Sequence, residues 1–174
     1  MRKFVTTLFL FALILNAYAV APPKVGEKAK DFTLLNLKGE KISLKDFQGK
    51  KAVFLNLFTT WCPSCREEIP IMTKLYPEYK KKNVEFISID LRENSKKVAE
   101  FVKKFKIDYP VLIDAKGEVA NLYGVRYIPL NLLIDQEGII RFIGSFLSEK
   151  DLRKELDKVL PEKKGKLQKS GKKE

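Results

Sequence analysis

Ala52-Val53-Phe54-Leu55-Asn56-Leu57-Phe58-Thr59-Thr60-Trp61-Cys62-Pro63-Ser64-Cys65 decides the fold. Its first seven residues form an almost unbroken apolar run, the pattern of a central strand buried on both faces. From Cys65 onward the period changes. Ile69, Met72, Leu75 and Tyr79 fall on one face of a helix. A cysteine pair two residues apart, set between a buried strand and a helix, reads as a redox motif rather than a bare spacing. Pro70 and Pro77 lie inside the helical pattern. Each removes a backbone donor, so the pattern predicts a kink or an early end there.

Working outward, 84–90 reads as a second strand and 95–106 as a helix, with Val98, Phe101, Val102 and Phe105 on its inner face. A short strand at 110–114 and a short helix at 118–123 follow. Residues 131–135 and 139–146 form a hairpin turning at Gln136-Glu137-Gly138. Ser148 caps a last helix, with Asp151 three residues on, close to a capping box. Leu152, Leu156, Val159 and Leu160 form its inner face. Upstream, 31–44 reads as a β-hairpin turning near Gly39. Strands alternating with helices, then a closing hairpin and helix, predict an α/β sandwich: a mixed sheet with helices on both faces. One domain covers 22–160.

The two ends have other characters. Arg2 and Lys3 precede an apolar run from Phe4 to Leu15, and Ala17-Tyr18-Ala19 supplies a small-x-small cleavage pattern. Residues 1–21 therefore read as a secretory signal peptide, cut to leave Val20 or Pro22 first. The alternative is an uncleaved N-terminal anchor, since 4–21 reaches the lower limit for spanning a bilayer. Either way the domain lies outside the cytoplasm. At the other end, 161–174 holds six lysines and no aromatic residue, and reads as a disordered tail.

The chain has 174 residues, two cysteines and no histidine. That inventory excludes zinc sites of four cysteines, of mixed cysteine and histidine, or of three histidines. It also excludes Ser-His-Asp and Cys-His catalytic pairs, and haem held by a protein histidine. The formal net charge is +12. A basic balance suits nucleic acid or an anionic surface, but no nucleic-acid motif accompanies it. The charge reads as a solvated lysine and glutamate surface.

Position explains the chemistry of the pair. Cys62 falls at a helix N-terminus, where unpaired N–H groups and the helix dipole favour a thiolate. Cys65, one turn on, is placed to close a small disulfide ring. Pro63 stiffens that ring. A purely structural disulfide is the bland alternative, but a ring enclosing two residues restrains little of the unfolded chain. A Cu(I) site through both thiols is the other, because soft ligands suit that ion. Glu68 lies three residues beyond Cys65 on the same helix face. It is either a partly buried proton acceptor for Cys65, its carboxyl titrating high, or a solvated carboxylate beside Arg66 and Glu67.

Trp61-Cys62-Pro63-Ser64-Cys65-Arg66-Glu67-Glu68-Ile69-Pro70 resembles the W-C-x-x-C-x-x-E-x-P signature of the TlpA/ResA-like thioredoxin family. Gly49-Lys50 and the strand after it are similar too. So are Gly124-Val125-Arg126-Tyr127-Ile128-Pro129, Leu133-Ile134-Asp135 and Gly138. The resemblance covers 25–160. It implies a thioredoxin-like fold with an N-terminal hairpin extension. Pro129 resembles the family's cis-proline, which presents the backbone of the preceding residue, here Ile128, to an incoming peptide. An ordinary loop proline is the alternative. By the same resemblance Trp61, Pro63, Ile128 and Pro129 border the substrate, and Glu68 tunes the cysteine pair. Asn56 stands where cytoplasmic thioredoxins carry a buried acid. Leu130 and Leu132 depart from the Thr and Phe common in the family, giving a greasier rim.

The function expected is an extracytoplasmic, in many settings periplasmic, thiol-disulfide oxidoreductase. It carries no cofactor and works as a monomer. The resemblance implies electrons drawn from a transmembrane thiol carrier and passed to protein disulfides, typically apocytochrome c or copper-site cysteines. The Pro63-Ser64 dipeptide, lacking a histidine, leans toward reduction. Two other classes compete. A Cu(I) metallochaperone would use the same thiols. A thiol peroxidase would want Thr59 before Cys62, but also a proline where Leu55 stands.

Overall fold

A computed structural model of the chain describes residues 21–160. The expected signal segment, but for its last residue, and the tail at 161–174 lie outside them. The strands are β1 (Thr33–Asn36), β2 (Lys41–Ser43), β3 (Ala52–Phe58), β4 (Val84–Leu91), β5 (Val111–Asp114), β6 (Leu130–Ile134) and β7 (Ile140–Gly144). The helices are α1 (Pro63–Lys80), α2 (Ser95–Phe105), α3 (Glu118–Leu122) and α4 (Glu149–Asp157). The strands form one sheet in the order β2-β1-β5-β4-β3-β6-β7. β3, β4 and β5 run parallel, and the remaining pairs are antiparallel. This is the mixed α/β sandwich read from the sequence.

Side chains alternate across the sheet, so each central strand feeds two cores. Ala52, Phe54 and Phe58 of β3 join Ile69, Met72, Leu75, Val98, Phe101, Leu152 and Leu156, under α1, α2 and α4. Val53, Leu55 and Leu57 point the other way, toward Phe32, Leu44, Val119 and Tyr123. The seven-residue run was legible as buried because both faces are covered.

α1 corrects one expectation. It starts at Pro63 and continues unbroken through Pro70 and Pro77 to Lys80. Both prolines are exposed, so the carbonyls they leave without a donor, of Arg66 and Thr73, belong to the water side. The opposite face buries Ile69, Met72, Leu75, Tyr76 and Tyr79. That burial outweighs the ~3 kcal/mol an interior proline costs. Other boundaries move by a residue or two, except that α4 ends at Asp157, so Val159 and Leu160, read as part of its inner face, follow it and pack against the core from outside the helix. β7 ends at Gly144, leaving Ser145, Phe146 and Leu147 as a loop that returns to the site.

Candidate functional site

β3 ends at Phe58, and Cys62, soon after it, caps α1. Pro63 takes the first helical position, where a missing N–H leaves nothing unpaired. The first free donor aimed at the sulfur is therefore Cys65 N–H, which Cys62 Sγ accepts at 3.3 Å. Ser64 Oγ lies 3.4 Å from the same sulfur. The two cysteines are unbonded to each other, Cys62 4% exposed and Cys65 fully buried. Burial is the main cause pushing the Cys65 thiol up. Its hydrogen bond to Cys62 and the charges of Cys62 and Glu68 add to the push, and the backbone of Thr59 opposes it.

The Ile128–Pro129 peptide bond is cis. The Ile128 carbonyl lies over the pair, where Cys62 Sγ donates to it at 3.8 Å. Tyr127 is 51% exposed, and with Ser64, Ile128, Pro129, Ser145 and Phe146 it lines an open cleft of about 390 Å³. Trp61, 63% exposed, borders a second cleft that shares Ile128. Pro63 is exposed beside them. The residues read from the sequence as the substrate border thus converge around Cys62. Pro129 itself is buried and Ile128 half-buried.

Glu68 is fully buried, not solvated. A row of polar side chains crosses three neighbouring strands beneath it. Asn56 pairs in register with Ser88 on one side and Asn131 on the other. Ser88 Oγ donates to Asn56 Oδ1 at 3.2 Å, and Asn56 Nδ2 donates to Asn131 Oδ1 at 2.7 Å. Glu68 crowns the row. Its Oε1 accepts from Asn131 Nδ2 and Leu147 N, both at 2.7 Å, and its Oε2 accepts from Asn56 Nδ2 at 3.2 Å. None of these donors carries charge. Burial therefore prevails over the Leu147 and Asn131 hydrogen bonds, and the carboxyl is pushed up to about 7. Among the described residues no hydrogen bond joins Glu68 to Cys65. The two are coupled through charge.

Sequence reasoning named Asn56 and Glu68 but missed Ser88, Asn131 and Leu147. Asn131 had a signal: like Asn56, it interrupts an apolar strand. Also missed was Glu93, whose carboxylate accepts from Thr60 N at 2.5 Å and Thr60 Oγ1 at 2.9 Å, tying down the loop that carries Cys62. Among the described residues no three of Cys, Asp and Glu are grouped as metal ligands. Nor is any helix there long and apolar enough to cross a membrane.

Comparison with known proteins agrees with this geometry. The sequence pattern of the AhpC/TSA family matches residues 25–143. Thiol-disulfide oxidoreductase ResA of Bacillus thuringiensis subsp. konkukian is 42% identical over 139 residues, covering 79% of this chain and 80% of that protein. ResA of Geobacillus thermodenitrificans is 35% identical over 167 residues, 92% of this chain and 95% of that one. Among solved structures, a thioredoxin-family thiol:disulfide interchange protein from Chlorobium tepidum superposes with a TM-score of 0.70 at 26% identity, covering 81% of this chain and all of that one. A secreted Mycobacterium tuberculosis disulfide oxidoreductase does so with 0.65 at 25% identity, covering 73% and 95%.

Proposed function

This chain belongs to the AhpC/TSA family as a ResA-like thiol-disulfide oxidoreductase with a thioredoxin-like fold, and on that premise we propose that it reduces protein disulfides outside the cytoplasm through Cys62 and Cys65. The observation that carries the reading is the unequal pair of sulfurs. Cys62 sits at the helix start under the Ile128 carbonyl, with the Cys65 N–H aimed at it. Cys65 lies wholly inside.

The reaction follows from that inequality. The Cys62 thiolate attacks one sulfur of a partner disulfide, forming a mixed disulfide, and the other partner sulfur leaves with the bonding pair and takes up a proton. Cys65 then attacks Cys62 Sγ, and the second partner sulfur leaves in the same way. The protein ends as the disulfide, the partner as the dithiol. Cys65 must lose its proton to attack, in a place that favours the thiol. Glu68, met among the described residues by uncharged donors and titrating near neutrality, takes that proton. Trp61, Pro63 and Tyr127 present the partner with an apolar rim, and the Ile128 backbone offers its extended chain a hydrogen-bonding edge.

Secretion of the Mycobacterium relative and the N-terminal sequence pattern support a site of action across the inner membrane. The electron donor is a membrane thiol carrier, and the recipients are cysteine pairs awaiting haem or copper. Single-cysteine variants test the order of attack. With an oxidised peptide carrying a two-cysteine haem-attachment sequence, Cys65→Ser is expected to accumulate a mixed disulfide and Cys62→Ser none. Mixed disulfides on Cys65 instead would reverse the assignment.

A further inference from the structure

A second buried acid lies in the layer of the cysteine pair, and the reaction above does not use it. Asp90 is fully buried near the end of β4. Val84 and Phe86, at alternate positions of the same strand, belong to the core under α1 and α2, so Asp90 faces the layer that contains both cysteines. Its two carboxyl oxygens have no hydrogen-bond partner among the described residues, and neither does the buried Thr59 Oγ1. Its neighbours in register, Phe58 and Ile113, have no side-chain donor.

What Asp90 does face is Glu93, its carboxyl first and its backbone N–H second. Glu93 is already committed as an acceptor: Thr60 N and Oγ1 donate to it, and so does Lys97 Nζ at 2.5 Å. Two acceptors facing each other in a buried place repel unless a proton lies between them. We propose that Asp90 supplies that proton to Glu93 and thereby holds the loop at Thr60, two residues before Cys62, which makes Asp90 a positioning residue for the attacking thiol.

The charges around the pair agree. Burial, then the facing carboxyl of Glu93 and its charge, push Asp90 up to about 8, against the pull of the nearby Glu93 backbone N–H and of Lys97. Burial opposes ionisation of Glu93 too, but Lys97, Thr60 and Asp90 together hold it below the ordinary carboxylate range. One carboxyl keeps its proton and the other its charge. Glu93 from the following loop and Lys97 from α2 are the charged groups that reach Asp90. α1 adds the thiols Cys62 and Cys65 to the same layer. When Asp90 ionises, the shared proton goes and Glu93 is driven from Thr60.

The proposal concerns the site of the proposed reductase, but its test needs no redox chemistry, so the two readings stand or fall separately. The Asp90 carboxyl carbon, followed by NMR in the wild-type protein, is expected to titrate well above pH 6. Thr60 amide protection, corrected for intrinsic exchange, is expected to fall about tenfold (~1.4 kcal/mol) across the same transition. Asp90→Asn places a permanent donor opposite Glu93 and is expected to keep the protection at both ends of the range. Alkylation of Cys62 should lose the same transition in Asp90→Asn and retain it in Glu68→Gln. Titration of Asp90 below pH 5 would overturn the proposal. So would an unchanged loss of Thr60 protection in Asp90→Asn.

Discussion

α1 carries a buried carboxylate contact near each end, and the two are built differently. Near its start Glu68 accepts from two asparagine amides and one backbone N–H. Toward its end Tyr76 donates to Glu85 at 2.5 Å, and Lys51 Nζ reaches the same carboxylate at 2.7 Å. Glu85 is nearly as buried as Glu68, 5% against 0% exposed. The difference is a cation. Lys51 balances Glu85, whereas the neutral donors around Glu68 leave its charge opposed by burial, with a proton exchangeable near neutral pH. One acid joins β4 to the helix, and the other sits near the cysteine pair.

The largest effect expected from breaking this contrast is at the Lys51 end. Lys51→Met leaves Glu85 a buried charge with only Tyr76 to answer it. The expected loss is about 3 kcal/mol of unfolding free energy in denaturant titration at pH 7, with the thiol exchange rate unchanged. A slower exchange would show that the two ends of α1 are not independent.

Removing the charge at the Glu68 end gives a somewhat smaller change of opposite sign. The folded chain holds the Glu68 proton to about pH 7, whereas the ordinary value is 4.5. Below pH 4.5 both folded and unfolded chains are protonated and the stability is fully present. Between there and pH 7 the unfolded chain ionises first, and stability falls by at most roughly 3 kcal/mol. Glu68→Gln is expected to recover about 2 kcal/mol at pH 8 and to remove that share of the fall. Asp90, pushed up to about 8, adds a fall of its own between its ordinary value of 3.8 and about pH 8, which Glu68→Gln leaves in place. The same variant should lose the exchange-rate transition near pH 7. A wild-type profile would remove Glu68 from the reaction.

The parts of this molecule that are local in sequence were legible in it. An apolar run, two cysteines and a helical period adjoin one another, so strand, cysteine pair and helix could be read together. Pro129 was legible through the motif around it. Glu68 was named from its place on the Cys65 face of the helix, but nothing near it in sequence said what would meet it. Its partners come from residues 12, 63 and 79 positions away. A single polar residue in an apolar strand says that something answers it, not what. Pro70 and Pro77 misled for a related reason. Their effect depends on which side of α1 faces water, and that is set by packing.

The reduction potential of the Cys62–Cys65 couple, from equilibration in thiol-disulfide buffers at pH 7, tests the central claim most directly. A reductase is expected to lie near thioredoxin, at about −270 mV. A value near about −120 mV would make the protein an oxidant and contradict the direction of electron flow proposed here.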